Sequence, residues 1–195
     1  MKIQKSMRIL IPTDVFPPRC GGSGWSTYYL VRALQKRGHE ITALVPKPNV
    51  SGISFGKYDG IDTIYIGYKK SAMPLVGNYY KNELFWKGFE KFLISHLSAE
   101  KYDVIHAQHQ MTTVPSANAG VKCSIPVVAT VRDYWPVCYF GTMFSRMLDD
   151  CGLGCKDSMK VLPFKMLAKA YMRNNIKSKQ AALKKCARII CVSNF

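Results

Sequence analysis

Three glycines, Gly21, Gly22 and Gly24, lie in a proline-rich loop directly before a predicted helix near the start of the chain. A glycine loop lets backbone N–H groups approach an anion, and the N-terminus of a helix carries partial positive charge. The pattern therefore suits the binding of a phosphate or diphosphate. Its spacing matches neither of the two common glycine motifs of nucleotide-binding proteins, so a simple connector is the alternative interpretation.

A second polar group, Arg132, Asp133 and Tyr134, follows a predicted strand in the second half of the chain. A guanidinium stays protonated near neutral pH, so we expect Arg132 to bind a phosphate or a sugar hydroxyl rather than to accept a proton. The carboxylate of Asp133 either binds hydroxyl groups of a substrate or closes its own loop. The residue types alone leave both roles open.

Two histidines, His106 and His109, lie at the end of another predicted strand. We expect His106 to be structural, because a short buried strand contains it, and His109 to lie past the strand where an acceptor could bind. A pair of histidines three residues apart could bind a metal ion, but no third ligand follows at a suitable spacing.

The seven cysteines are scattered through the chain, which argues against a disulfide framework. Cys138, Cys151 and Cys155 fall within 18 residues and could hold zinc. No Cys-x-x-Cys pair is present, so we predict reduced thiols and no metal site there. We expect Cys186 and Cys191 to lie in the core.

Strands and helices that alternate along the chain must position these groups. The predicted strands are Ile9–Ile11, Ile41–Val45, Ile61–Ile66, Val104–Ala107, Pro126–Val131 and Ile189–Val192, and the predicted helices are Trp25–Arg37, Asn78–Leu97 and Lys165–Lys185. This order predicts an α/β fold, with a parallel sheet flanked by helices. The segment Asp133–Pro163 has no clear period and is predicted to be a long functional loop.

The chain has 195 residues and a formal net charge of +16, which indicates an anionic partner. Between Lys156 and Arg188 there are ten basic residues and one acid, Asp157, with large apolar side chains between them. Such a basic amphipathic helix favours contact with an anionic membrane surface, and a solvated basic face is the alternative. Nucleic acid is a weaker interpretation, because the chain has no nucleic-acid-binding motif.

The start of the chain lacks the apolar stretch of a signal peptide, and no apolar run approaches the ~18 residues that span a bilayer. We therefore expect a cytoplasmic protein, with peripheral contact at the cytoplasmic face of a membrane.

Five segments in sequence order resemble the N-terminal domain of family 4 glycosyltransferases, and the match covers nearly the whole chain. They are Pro17–Gly22, Leu34–Ile41, Tyr102–Ala107, Val128–Pro136 and Ile190–Ser193. The resemblance implies a GT-B fold, in which two Rossmann-like halves face each other. Residues 1–195 would form the acceptor-binding half, and the C-terminal nucleotide-sugar domain would be absent from this chain.

The resemblance also implies roles for individual residues. Gly21 and Gly22 would direct backbone N–H groups at the donor diphosphate as its charge develops. Arg132 and Asp133 occupy the catalytic position, where many members have a histidine before the aspartate. This departure makes Arg132 a binding residue rather than a proton acceptor.

Three further residues, His109, Tyr134 and Ser193, are implied to bind the acceptor or the transferred sugar. The family uses a nucleotide-diphosphate sugar as co-substrate and typically needs no metal ion or other cofactor. The reaction would be a retaining hexosyl transfer to a glycan or a lipid-linked acceptor, and this half alone would be inactive. The alternative is a non-catalytic subunit of a split transferase that binds a membrane or an acceptor.

Overall fold

The computed structural model describes residues 5–71, 73, 76–141 and 165–192. Seven strands lie in this part of the chain: β1 (Arg8–Pro12), β2 (Glu40–Pro48), β3 (Ile53–Tyr58), β4 (Ile61–Tyr68), β5 (Val104–Gln108), β6 (Val127–Val131) and β7 (Arg188–Cys191). The helices are α1 (Gly22–Lys36), α2 (Val76–Tyr79), a π-helical segment (Tyr80–Leu84), α3 (Phe85–Ala99), α4 (Gln110–Cys123) and α5 (Lys165–Lys185).

The strands form one sheet in the order β3-β4-β2-β1-β5-β6-β7, and every neighbouring pair is parallel except β3–β4. The chain runs outward from β1 to β2 on one side, and later returns to place β5 on the other side of β1. In open parallel sheets, loops diverge at such a reversal and leave a crevice at the carboxyl ends of the strands. The predicted parallel sheet is thus confirmed, and its reversal lies between β1 and β5.

Side-chain alternation in the strands divides the core between the two faces of the sheet. Ile9 and Ile11 of β1 pack with Val31 of α1, whereas Leu10 between them packs with residues of α3 and α4. Helix α1 ends as predicted at Gly38, which has a φ of +84° and donates its N–H to the Gln35 carbonyl at 2.9 Å. Only a residue that tolerates positive φ ends the helix in this way without strain.

The predicted helix Asn78–Leu97 is present, but the structure divides it into α2, the π-helical segment and α3. Its expected apolar face is largely correct, because Phe85, Phe89, Leu93 and Leu97 are buried and Phe92 is half-buried.

Two elements, β3 and α4, have no counterpart among the predicted elements. Strand β3 is an exposed antiparallel edge strand, so it lacks the buried apolar run that marks the central strands. Helix α4 is covered on nearly every side, and its buried positions include the polar or small residues Thr112, Thr113, Ser116 and Gly120. A helix without a solvent-facing side carries no amphipathic period.

Helix α5 has the predicted bounds, but its apolar side chains serve the fold. Met172 is buried, and the half-buried Ile176 packs in the same cluster beside Tyr139. The basic residues Lys169, Arg173 and Lys177 face solvent. Most of the apolar side of α5 is therefore covered by the protein, and Leu167 at its start is exposed.

The two cysteines expected in the core differ in their surroundings. Cys186 is half-buried and packs against the core, whereas Cys191 is exposed on β7, so the prediction for Cys191 is wrong. The reason is the edge position of β7, whose four residues are all exposed. Among the described helices, none is both long and apolar enough to cross a bilayer.

Lys179 on α5 is fully buried, unlike its exposed neighbours Lys169, Arg173 and Lys177. Its Nζ has no hydrogen-bond partner among the described residues and lies 5.5 Å from the centre of the Tyr139 ring. Burial lowers the pKa of Lys179 to about 8, and the charges of Glu83 and Asp133 only partly oppose this. The charged form is therefore held in the fold at a cost in free energy.

Replacing Lys179 with Met should stabilise the protein at pH 7. A pKa lowered from 10.5 to about 8 sets an upper limit of roughly 3 kcal/mol, at 1.4 kcal/mol per unit. Below pH 8 both folded and unfolded Lys179 are protonated, so the penalty is complete. Between pH 8 and 10.5 only the unfolded chain holds the proton, so wild-type stability rises relative to Lys179→Met. Urea denaturation at pH 7 and pH 9.5 measures both effects, and a variant less stable than wild type at pH 7 would contradict the argument.

Candidate functional site

Three ionisable side chains meet at the carboxyl edge of the sheet, beside the reversal between β1 and β5. Asp14 follows β1, His109 follows β5 and Asp133 follows β6. Because parallel strands end at one edge, residues distant in sequence are brought into one crevice.

The Asp14 carboxylate caps the start of helix α4. Oδ2 accepts the Met111 N–H at 3.0 Å, and Oδ1 accepts the Thr112 N–H at 3.1 Å and the Thr112 hydroxyl at 3.2 Å. Burial raises the pKa of the Asp14 carboxyl, while the charge of His109 and these backbone donors oppose the rise. The cap joins the loop after β1 to the helix after β5, across the sheet reversal.

His109 occupies the position directly before α4 and has an unusual backbone, with φ +77° and ψ −174°. A non-glycine residue at positive φ is strained, and such residues concentrate at functional sites. The ring points Nε2 at Asp133 Oδ2, at 3.3 Å, and its Nδ1 is buried without a hydrogen-bond partner among the described residues. Asp133 in turn accepts the Trp135 N–H on Oδ1 at 2.8 Å. The structure thus brings together two of the predicted site residues, His109 and Asp133.

Arg132 lies beneath the first turn of α1. Its guanidinium donates to Ser26 Oγ at 2.8 Å and to Gln108 Oε1 at 2.6 Å. Burial lowers the pKa of Arg132. Its Nε is also buried and has no hydrogen-bond partner among the described residues. Arg132 therefore connects α1 to the ends of β5 and β6, and adds positive charge below the N-terminus of α1.

A chain of polar contacts continues from Arg132 into the sheet. Gln108 donates to the Thr130 hydroxyl at 3.2 Å, and His106 Nε2 lies 2.9 Å from the same oxygen. Burial, with a smaller contribution from the Arg132 charge, lowers the pKa of His106 to about 4. His106 is therefore neutral near pH 7 and buried, in keeping with the structural role expected for it.

The glycine loop leaves the N-terminus of α1 open. Gly21 precedes the helix and no side chain caps it. A Cβ atom at Gly21 or Gly22 would meet nothing within 4 Å, so the packing of the protein itself does not require glycine there. Gly24 differs, because its Cβ would lie 2.4 Å from the Cys20 sulfur. Gly21 and Gly22 thus leave free backbone surface at the positive end of a helix.

The remaining predicted site residues are less closely associated with the crevice. Tyr134 is 40% exposed, and its backbone closes a turn with Gly141. Ser193, Cys151 and Cys155 lie outside the described residues, as does most of the predicted loop Asp133–Pro163. Cys138 is buried. In the part of the chain that the structure describes, no group of three or more His, Cys, Asp or Glu side chains could hold a metal ion.

The predicted site did not include Asp14, Ser26 and Gln108. Asp14 carried a usable signal, because an acidic residue directly after a buried parallel strand lies at the edge where ligands bind. Ser26 and Gln108 carried none, since their contacts with Arg132 join residues 106 and 24 positions apart.

Together the crevice offers two kinds of chemistry. The open N-terminus of α1, with Arg132 below it, can bind an anion. The His109–Asp133 pair and Asp14 can donate and accept hydrogen bonds at hydroxyl groups. The arrangement fits a substrate with an anionic group and several hydroxyls.

The chain is similar in sequence to one family of proteins. The model of Glycosyltransferase Family 4 matches residues 20–195. A search of curated protein sequences finds none that matches the chain.

Several solved structures align with the chain, and the first one named here shows the same fold. Arabidopsis thaliana UGT89C1 in complex with UDP-L-rhamnose aligns with a TM-score of 0.56 and 10% identity, over 97% of this chain and 46% of its own. Sucrose-phosphate synthase from Thermosynechococcus elongatus aligns with a TM-score of 0.46 and 16% identity, over 95% of this chain and 47% of its own. The catalytic domain of Arabidopsis thaliana Starch Synthase IV, bound to ADP and acarbose, aligns with a TM-score of 0.46 and 18% identity, over 67% of this chain and 35% of its own. The chain thus spans less than half the length of each, and the first match confirms the expected Rossmann-like half of a GT-B fold.

Replacing Asp14 with Ala should destabilise the protein by about 1–2 kcal/mol, because the Met111 and Thr112 N–H groups lose the oxygens that cap α4. Asp14→Asn keeps one acceptor oxygen and should lose less than half as much. Urea denaturation of the two variants and wild type measures the difference. Equal stability of Asp14→Ala and wild type would show that the cap contributes nothing.

Proposed function

The chain belongs to glycosyltransferase family 4, and from this premise we propose that it forms the acceptor-binding half of a sugar transferase. In the proposed reaction, the bond between the anomeric carbon and the donor diphosphate breaks, and a bond from that carbon to an acceptor hydroxyl oxygen forms. The acceptor hydroxyl gives its proton to an oxygen of the departing diphosphate, and the nucleoside diphosphate leaves. The observation that carries the proposal is the pairing of an open helix N-terminus with the His109–Asp133 pair at one sheet edge.

On the donor side, the co-substrate is a nucleotide-diphosphate sugar. Backbone N–H groups at Gly21 and Gly22 bind the diphosphate, and their fixed dipoles stabilise the negative charge that grows as it leaves. Arg132 adds a permanent positive charge below the same helix turn. In this role Arg132 attracts the anionic diphosphate and does not accept a proton.

On the acceptor side, His109 and Asp133 bind and orient the reacting hydroxyl groups. Their 3.3 Å contact fixes the imidazole ring, and the Asp14 cap fixes the backbone that presents it. Tyr134 and Ser193 complete the acceptor contacts in this proposal. The acceptor is a glycan or a lipid-linked sugar, and the transfer is retaining and needs no metal ion.

Because the chain spans less than half the length of its structural neighbours, we assign the nucleoside and most sugar contacts to a C-terminal domain or partner chain. Transfer would then require both halves, and residues 1–195 alone would bind a nucleotide sugar weakly and without base preference. We place the complete enzyme on the cytoplasmic side of a membrane.

Placing an acid at the start of α1 should remove diphosphate binding without harming the fold. In wild type, titration with UDP-glucose or inorganic pyrophosphate should shift the NMR amide signals of Gly21, Gly22 and Ser23. In Gly22→Asp these shifts should vanish, because the carboxylate repels the anion. Thermal stability should not fall, since an acid at a helix N-terminus contributes about 0.3–1 kcal/mol.

Asn174→Asp is the matched control, because it makes the same charge change on the exposed side of α5 and should keep the wild-type shifts. If the wild-type amide signals at the start of α1 do not shift with either ligand, the donor-site assignment is wrong.

The basic face of α5 gives a separate prediction for membrane contact. Lys169, Arg173 and Lys177 are exposed, and most apolar side chains of the helix are packed inside the protein, with Leu167 exposed. Contact should therefore be mostly electrostatic. Vesicles of phosphatidylglycerol and phosphatidylcholine should carry wild type in flotation at low salt and release it at high salt, since screening acts over ~8 Å. Changing these three residues and Lys165 to Gln should release the protein at low salt.

A control variant should carry the same loss of charge elsewhere, with Lys36, Arg37, Lys101 and Arg188 changed to Gln, all of them exposed. It should still float. If wild type ignores the vesicles at low salt, the face is only solvated, and the proposal of a membrane partner fails.

A further inference from the structure

An apolar pocket of about 310 Å³ opens between the end of β4 and the helical stretch from Tyr80 to Phe92. We call it the α3 pocket. Its walls include Ile66, Tyr68, Phe85 and Phe89, and Lys69 is the one charged residue among the twelve that line it. Such a volume lies at the lower end of the range of small-molecule sites, ~300–1,000 Å³.

Gly88, in the fourth position of α3, keeps one wall of the α3 pocket open. Its backbone has no positive φ, and a Cβ atom there would meet nothing within 4 Å. The other two glycines of the lining differ, because Gly52 has a φ of +80° and a Cβ at Gly67 would lie 2.0 Å from the Val50 carbonyl oxygen. Glycine inside a helix is unfavourable relative to alanine. Neither backbone conformation nor packing among the described residues accounts for Gly88.

The rim of the α3 pocket combines exposed apolar side chains with positive charge. Ile53 and Leu84 line the pocket and are 49% and 43% exposed. Phe55 lies on the same face of β3 as Ile53 and is 74% exposed. Lys69 and its neighbour Lys70 are both exposed, and the lining contains no acid. Apolar walls with a cationic rim are complementary to an aliphatic chain with an anionic headgroup.

The pocket adjoins the crevice described above through Tyr68. This residue ends β4 at the same edge of the sheet, and its ring packs edge-on against Phe85 at 5.3 Å between centroids. Burial, with a further contribution from the Asp14 carboxylate, raises the pKa of Tyr68. One wall residue of the pocket therefore lies within electrostatic reach of the crevice.

We propose that the α3 pocket binds the aliphatic chain of a lipid acceptor whose phosphate-bearing headgroup lies against Lys69 and Lys70. The chain occupies the space that Gly88 leaves beside Phe85 and Phe89, and the headgroup extends toward the crevice. This inference rests on the proposed function, because it assigns the acceptor of that transfer to a class of lipid.

Titration of the full chain with monomeric dodecyl phosphate tests the assignment, in the absence of nucleotide sugar. Wild type should bind it, and inorganic phosphate should neither bind with comparable affinity nor compete. Gly88→Leu places a side chain in the pocket and should weaken binding about tenfold or more, because several methylenes lose their burial. Gly88→Ala should weaken it less and raise the melting temperature, which shows that α3 remains folded.

Ala170→Leu adds the same apolar side chain to an exposed position of α5 and should bind as wild type does. Lys69→Gln with Lys70→Gln should weaken binding and reduce its dependence on salt. Equal affinity of Gly88→Leu and wild type would overturn the proposal, as would competition by inorganic phosphate. Dodecyl phosphate that fails to bind, while UDP-glucose still shifts Gly21 and Gly22, would remove this inference and leave the donor site standing.

Discussion

The capping of α4 by the Asp14 carboxylate is the contact on which the rest of the site depends. It accepts hydrogen bonds from the backbone N–H groups of Met111 and Thr112, which lie 97 and 98 positions after Asp14 in the sequence. The cap fixes where α4 begins, and His109 stands directly before that point, in a strained backbone conformation. The position of the imidazole ring, and hence its contact with Asp133, follows from a carboxylate on the opposite side of the sheet reversal.

Arg132 has the second organising role, and its contacts explain what the departure from the family pattern does. A histidine at this position could reach toward a substrate, whereas Arg132 donates to Ser26 and Gln108 and joins α1 to the central strands. The exchange replaces a group that can transfer protons with one that holds a fixed positive charge. In the proposed function, Arg132 therefore serves the diphosphate on the α1 side, and the chemistry of hydroxyl groups is left to His109 and Asp133.

Elements with a strong local signal could be predicted from the sequence, and contacts between distant residues could not. Strand β1, helix α1 and helix α5 were correct because each has a regular apolar pattern or a clear end signal such as Gly38. Helix α4 was missed because it is buried on nearly all sides. Of the candidate site, the loop at Gly21 and Gly22 and the residues His109 and Asp133 were predicted by type and position, and Asp14 could have been predicted from its place after β1. The contacts of Arg132 with Ser26 and Gln108 and the burial of Lys179 depend on packing that no local pattern records.

The π-helical segment between α2 and α3 limits which sequence changes this part of the chain can accept. Each residue of an α-helix turns the next by about 100°, and a π turn accommodates one residue more than an α turn. Within five residues, Asn82 accepts a hydrogen bond from Gln110 at the start of α4, while Glu83 accepts two from Tyr171 and Asn175 on α5. Loss of a single residue here would restore a regular helix and rotate everything before Phe85 relative to α3. The segment therefore behaves as an inserted spacer, and substitutions within it are far easier to accommodate than any change in its length.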